Sequence, residues 1–189
     1  MKVLKFGGAS VKDASGVKNL LSILEKVGYK DTLVVVSAMA KTTNALENII
    51  EVYFDNKQSI NQYLLELEEF HLKIVDELFE NRATKLSRIV HDYFEELKIF
   101  FKKNKAPNYS FVYDQVVCYG ELLSTTIIHH YFESQGQKSF WLDARECIKT
   151  DDYYSSASLN WEQTQSCINS EVKGHQLIIT QGFIGSNTN

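Results

Sequence analysis

Lys5-Phe6-Gly7-Gly8-Ala9-Ser10 sets a lysine near the end of an apolar run, followed at once by two glycines and a hydroxyl. Glycines without Cβ atoms let backbone N–H groups close around phosphate oxygens, and a lysine ammonium offsets the charge on a phosphoryl group in transfer. These residues outline a phosphate cradle, although a glycine pair after a strand is more often an ordinary tight turn. The spacing fits neither G-x-x-x-x-G-K-[ST] nor G-x-G-x-x-G. A second cluster, Ser37-Ala38-Met39-Ala40-Lys41-Thr42-Thr43-Asn44, groups hydroxyl and amide side chains. Thr43 or Asn44 reads as a helix cap; alternatively, Ser37 and Thr43 hydrogen-bond a small polar substrate beside a helix N-terminus that favours anions. Gly120-Glu121 lies inside the apolar segment from Val116 to Ile128. Glycine inside a helix costs about 1 kcal/mol relative to alanine, and a carboxylate facing a packed interior needs a partner, so something must approach this helix closely. The plainer alternative is a solvent-facing Glu121 beside a packing glycine. Ile178-Ile179-Thr180-Gln181-Gly182-Phe183-Ile184-Gly185-Ser186 opens a buried strand into a second glycine loop. Gly7, Gly8, Gly182 and Gly185 are four of the 9 glycines, which suggests that backbone approaches a ligand at both loops.

Other reactive side chains have structural readings. Asp143 and Arg145, with Thr150 and Asp151 after them, fit a local ion pair and a cap. His129 and His130 lack a plausible metal partner nearby except Glu133, so packing or surface roles are expected and no metal site is assigned. Cys118, Cys147 and Cys167 are odd in number and widely spaced, which fits buried, reduced thiols.

Alternating strands and helices must position these groups. Val3 to Phe6 and Thr32 to Val36 read as strands buried on both faces. Between them Val17, Leu20, Leu21 and Leu24 recur at helical spacing, with Gly28 at the helix stop. This strand, helix, strand unit implies a right-handed crossover in a parallel sheet. From Asn44 to Lys103 there is no glycine or proline, and apolar residues form three helical stripes: Leu46 to Phe54, Ile60 to Leu78 after a capping box from Ser59 to Gln62, and Leu86 to Phe101. The stripes read as core packing within a helical insertion at about 44–104. Pro107, the only proline, precedes a further helix reaching Gln135 with Gly136 as its left-handed cap. Phe140 to Leu142 and Leu177 to Thr180 read as strands, with a helix near Trp161 to Val172. The class is α/β.

The 189 residues, 44% hydrophobic and 12% aromatic with a net charge of -4, describe a soluble globular chain rather than a disordered one. Lys+Arg 20 against Asp+Glu 24 argues against a nucleic-acid partner. No run approaches the ~18 apolar residues of a membrane span, and the N-terminus lacks a secretory pattern, so no membrane association is expected and a cytoplasmic location is the default.

Four stretches together resemble the N-terminal part of the aspartokinases, within the amino-acid kinase family: Lys5 to Val11; Val36-Ser37-Ala38-Met39 with Thr42-Thr43-Asn44; Gly120-Glu121-Leu122-Leu123-Ser124; and Thr180 to Gly185. They occur in family order across nearly the whole chain. Ala9 departs from the threonine often found there, removing one hydroxyl near the phosphates. The resemblance implies a three-layer αβα sandwich with a mainly parallel central sheet, a carbamate kinase-like fold present in part. It implies a phosphotransferase that takes ATP with Mg²⁺ and phosphorylates the β-carboxylate of L-aspartate, giving 4-phospho-L-aspartate on the way to lysine, threonine and methionine. Lys5 would stabilise the phosphoryl group as the catalytic residue, and Gly7, Gly8 and Ser10 would line the phosphate channel. Ser37, Thr43, Gly182 and Phe183 match substrate-side positions, and Glu121 matches the carboxylate that holds the α-amino group. A homo-oligomer is implied for the full-length protein.

The family's later arginine and aspartate motif, its adenine-binding half and its ACT domains have no counterpart in these residues. Residues 1–189 are therefore expected to form the aspartate-side part of the kinase domain and to be inactive alone. Two alternatives stand beside this reading: a sister kinase acting on glutamate or acetylglutamate, and a non-catalytic module that binds an amino acid.

Overall fold

A computed structural model describes residues 1–55, 59–80 and 84–187. The elements in chain order are β1 (Lys2–Phe6), α1 (Ala14–Val27), β2 (Thr32–Val36), α2 (Thr42–Asp55), α3 (Asn61–Phe79), α4 (Thr84–Lys103), α5 (Tyr109–Ser134), β3 (Phe140–Leu142), α6 (Ala144–Cys147), α7 (Trp161–Glu171) and β4 (Leu177–Gln181). The strands form one sheet in the order β1-β2-β4-β3, and every neighbouring pair is parallel. Parallel pairing requires crossovers long enough to hold helices, and α1 supplies the first between β1 and β2.

The period-2 alternation of the strands separates two helical layers. Val34, Val36, Leu177 and Ile179 share one core with Leu20 and Leu24 of α1, Ile49 of α2 and Ile127 of α5, while Leu4 and Phe6 pack against it. On the other face Ile178 and Leu142 bury against Cys147 of α6, with Leu33 and with Cys167 and Ile168 of α7 packed around them. The result is an α/β three-layer sandwich. The long core also takes in α3 and α4 through Leu64, Val75, Val90 and Phe94.

Of the local stop and start signals, Gly28 and Gly136 act where the sequence placed them, and the Asp13 and Asn108 caps are seen only in the structure. Asp13 caps α1 by accepting from the Gly16 N–H at 2.8 Å, and Gly28 ends it with φ 76°. Asn108 caps α5 through the Phe111 N–H, and Gly136 follows with φ 79°. Three readings need correction. β1 is not buried on both faces: it is an edge strand of this sheet, with Val3 62% exposed. Thr43 and Asn44 do not cap α2, which already begins at Thr42, so both lie within its first turn. The Ser59–Gln62 capping box does not form either. Ile60 precedes α3 without a side-chain cap, Ser59 Oγ accepts from the Asn61 N–H at 3.3 Å, and Gln62 donates to Glu66 instead.

Among the described residues, no helix is long and apolar enough to cross a membrane. The three cysteines are free; Cys147 is buried and Cys118 and Cys167 are half-buried.

Candidate functional site

In the parallel register Phe6 lies opposite Val36, and Val36 opposite Gln181. Three chain segments therefore leave adjacent strands at one carboxyl edge, as Gly7-Gly8, Ser37-Ala38 and Gly182-Phe183. That edge is where open α/β sheets bind ligands. The ladder continues one residue past the strands, because the Ser37 N–H donates to Phe6 O at 3.1 Å and the Gly182 N–H to Val36 O at 3.0 Å.

Gly8 needs its missing side chain for contact reasons: a Cβ there would lie 2.4 Å from the Ala38 carbonyl oxygen. The Ala40 N–H donates to Gly8 O at 3.1 Å, and the Ser10 N–H closes the first loop on Gly7 O at 2.9 Å. Lys5 is exposed, and its Nζ lies 3.5 Å from the point a Cβ on Gly7 would occupy. Its side of β1 is that of Val3, opposite the core-facing Leu4 and Phe6. Ser10 is exposed on the same loop.

The turn from Ser37 to Lys41 stands between the first glycine loop and α5. Glu121, 3% exposed, accepts from the Ala38 N–H through Oε1 at 3.1 Å. Its second oxygen, Oε2, is buried and meets no hydrogen-bond donor among the described residues. Burial raises the carboxyl above its ordinary range, and the Ala38 N–H only partly opposes that. The solvent-facing alternative for Glu121 is thereby overturned. One turn along the same helix face, Ser124 Oγ donates to Ser37 O at 2.9 Å. Gly120 explains the close approach, since a Cβ on it would sit 2.9 Å from Ala38 Cβ and 3.4 Å from Thr42 Cγ2.

Ser37 is half-buried, with its Oγ 3.9 Å from the Cβ position of Gly182. Thr43 is half-buried in the first turn of α2. Phe183 is 78% exposed and has φ 70°, while Ala40 in the neighbouring turn has φ 49°. Left-handed backbone at non-glycine residues is strained and collects at functional loops. The Ile184 N–H bonds back to Gly182 O at 2.9 Å across Phe183. Beside this loop lies a cavity of about 1150 Å³ whose walls include Val35, Tyr119, Arg145, Tyr153, Gly182 and Phe183.

Sequence reasoning missed the polar frame beneath the loops. Gln181, 4% exposed, accepts from the Ala144 N–H through Oε1 and donates to Thr125 Oγ1 through Nε2, both at 2.7 Å. Thr125 Oγ1 also accepts from Trp141 Nε1 at 3.0 Å and donates to Glu121 O at 2.9 Å. The available signal was a polar residue set in a run of buried ones, which must find partners. At Gly185 a Cβ would meet Ile148 O at 2.8 Å, because the loop pairs with the segment after α6: the Ser186 N–H donates to Ile148 O and the Thr150 N–H to Ser186 O, each at 2.9 Å.

The other reactive side chains make local contacts, and of the three cysteines read as buried only Cys147 is, Cys118 and Cys167 being half-buried. Asp143 caps α6 through the Arg145 N–H at 2.9 Å and pairs with the Arg145 guanidinium at 2.6 Å. His129 and His130 make hydrogen bonds to Ser139 Oγ and Thr126 O. Burial pushes the Cys118 thiol up to about 12, which suits packing rather than nucleophilic chemistry.

Comparison with known proteins agrees with the geometry. The chain is 28% identical over 190 residues to the bifunctional aspartokinase/homoserine dehydrogenase 2 of Escherichia coli K12, a match covering 97% of this chain and 22% of that protein. It is 31% identical over 159 residues to the chloroplastic aspartokinase 1 of Arabidopsis thaliana, covering 80% of this chain and 27% of that one. The fold superposes on E. coli aspartokinase III, crystallised with lysine and aspartate, with a TM-score of 0.85 at 23% identity, over all of this chain and 42% of that one. The chain thus spans well under half the length of these relatives. The description "Amino acid kinase family" fits residues 1–189 from end to end, and with glycine loops gathered at the carboxyl edge of a parallel sheet inside a matching sandwich, the chain belongs to the amino acid kinase family.

Proposed function

We propose that this chain carries the amino-acid side of an aspartokinase site, in which ATP phosphorylates the β-carboxylate of L-aspartate. The observation that carries the reading is Glu121: a buried carboxylate with one oxygen bonded and the other without a donor among the described residues, at the carboxyl edge of the sheet. An unpaired buried acceptor is costly, and an α-ammonium group is the donor that would relieve it. Ser37 and Thr43 stand near the same turn as hydroxyl donors for a carboxylate. Gly182 and Phe183 would border the substrate from the neighbouring strand end.

For the nucleotide, the residues present fit triphosphate oxygens. Gly8 offers backbone where a Cβ would collide with Ala38 O, Gly7 beside it leaves backbone uncovered next to Lys5 Nζ, Ser10 adds a hydroxyl, and Lys5 pairs with no carboxylate among the described residues. Mg²⁺ would arrive with ATP and neutralise its phosphate charge. In the transfer a β-carboxylate oxygen attacks the γ-phosphorus, one P–O bond forms to the acyl phosphate, and the bond to ADP breaks. Such a reaction needs chiefly positioning and charge stabilisation. Lys5 supplies the second and the three loops the first. The aspartokinase relatives support aspartate over glutamate or acetylglutamate as the amino acid.

Calorimetric titration of the chain with L-aspartate, L-glutamate and succinate tests the reading. The expected result is binding of aspartate, at least tenfold weaker binding of glutamate, and loss of binding to succinate, which lacks the amino group. Equal binding of aspartate and succinate, or retained aspartate affinity in Glu121→Gln, would overturn it.

A further inference from the structure

Thr42 opens α2 beneath the candidate site and is 1% exposed. It points two ways. Its hydroxyl lies 3.4 Å from Nε2 of His71 in α3, a long hydrogen bond, and its methyl lies 3.4 Å from the point a Cβ on Gly120 would occupy. The Thr42 N–H closes the Ser37–Lys41 turn by donating to Met39 O at 3.0 Å.

His71 is fully buried, packed edge-on against Phe70 at 5.0 Å and tilted against Phe94 of α4 at 6.0 Å. Its Nδ1 is 2.8 Å from Leu67 O, an atom that can only accept. The proton therefore sits on Nδ1, leaving the Nε2 lone pair to accept from the Thr42 hydroxyl. Burial holds the imidazole down to about 4, so the ring stays a neutral acceptor at ordinary pH. Glu68, three residues before His71 on the same helix, is engaged by His91 and Lys98 on α4.

A threonine side chain is stiff at χ1. With its hydroxyl anchored on α3, the Thr42 methyl is fixed against α5 at the residue beside Glu121. From this geometry we infer that His71 is a positioning residue: through Thr42 it holds the Ser37–Lys41 turn in the place where the Ala38 N–H meets Glu121 and Ala40 meets the glycine loop. The helical segment from α2 to α4 would then set the shape of the amino-acid pocket without touching the ligand. Only that last step, the pocket's ligand, rests on the function proposed above.

The test compares the wild-type chain with Thr42→Val, which keeps the shape and loses the donor, and Thr42→Ser, which keeps the donor. Imidazole ¹⁵N shifts should show the Nδ1–H tautomer for His71. Amide hydrogen exchange at Ala38 and Ala40 should be at least fivefold faster in Thr42→Val than in wild type, unchanged in Thr42→Ser, and unaltered in both at the core amides of Ile127 and Ile179. An Nε2–H tautomer would overturn the inference, as would equal acceleration of the turn and the core, since that reports general loosening. Aspartate affinity, measured in parallel, should fall about tenfold in Thr42→Val only. If wild type binds no aspartate while the tautomer and exchange results hold, the positioning role stands and it is the aspartate reading that fails.

Discussion

Glu121 concentrates the tension in this site into one side chain. Burial disfavours its charge, and only backbone N–H groups, chiefly that of Ala38, oppose this, while Oε2 has no donor among the described residues. Its folded pKa is raised above the unfolded value, so the folded chain holds the proton more tightly than the unfolded one. Stability is therefore greatest below the unfolded value, near 4.3, and declines as pH rises through the raised folded value. Glutamine at this position keeps an acceptor for the Ala38 N–H and removes the charge. A buried unpaired amide costs less than a buried unpaired carboxylate. Glu121→Gln should therefore raise the urea midpoint at pH 7 and flatten its decline with rising pH above the ordinary carboxylate range, while abolishing amino-acid binding. A lower midpoint at pH 7 would show that the carboxylate is stabilising and already satisfied. Phe183 and Ala40, two of the non-glycine residues with positive φ, put further backbone strain at this carboxyl edge of the sheet.

Elements meet at this edge through close contacts that single atoms control, and α5 shows the consequence most directly. Replacing Gly120 by alanine gains about 1 kcal/mol of helix propensity, but the new Cβ would lie 2.9 Å from Ala38 Cβ, an atom fixed to the turn backbone. Overpacking of this kind costs about 1–3 kcal/mol, so Gly120→Ala should lower the urea midpoint, and a rise would mean that the turn yields freely. The clash would push the Ser37–Lys41 turn away from Glu121, so weaker ligand binding should accompany the loss. Gly120 was legible in the sequence because a glycine and a carboxylate interrupt an apolar helix, and the four strands were legible as short apolar runs, the first two ending in small or glycine residues. What approaches Gly120 was not legible, since Ala38 and Thr42 reach it only once β2 packs beside α5. The partners of Thr125 and Gln181 were hidden for the same reason: a polar residue among apolar ones announces a hydrogen bond but not its other end. The edge position of β1 depends on strand order, which alternation alone does not contain. At Ser59 and Gln62 the spacing of a capping box was present, yet the helix began too late to use it.

At the scale of the whole molecule, one apolar core joins α1 to α5 with β2 and β4. Its continuity favours unfolding in one cooperative transition, with local openings such as that of the Ser37–Lys41 turn lying below it. His71 lies inside that core and gives it an acid limit. Its folded pKa is lowered from 6.5 to about 4 by desolvation. The unfolded chain therefore binds a proton near pH 6.5, whereas the folded chain resists until about 4. Stability is fully present above the unfolded value and is lost as pH falls through that interval, by on the order of 3 kcal/mol at about 1.4 kcal/mol per pH unit. Glu121 acts in the opposite direction over part of the range, so the His71 contribution is cleanest in the Glu121→Gln background. There, urea midpoints at pH 7, 5.5 and 4.5 should fall steadily, and the added substitution His71→Gln should remove the slope whatever it does to the midpoint at pH 7. Glutamine can still accept from Thr42 and donate to Leu67 O, but it cannot take up a proton in this range. An unchanged slope after that substitution would place the acid limit elsewhere in the molecule, with the partly exposed histidines as the next candidates to remove.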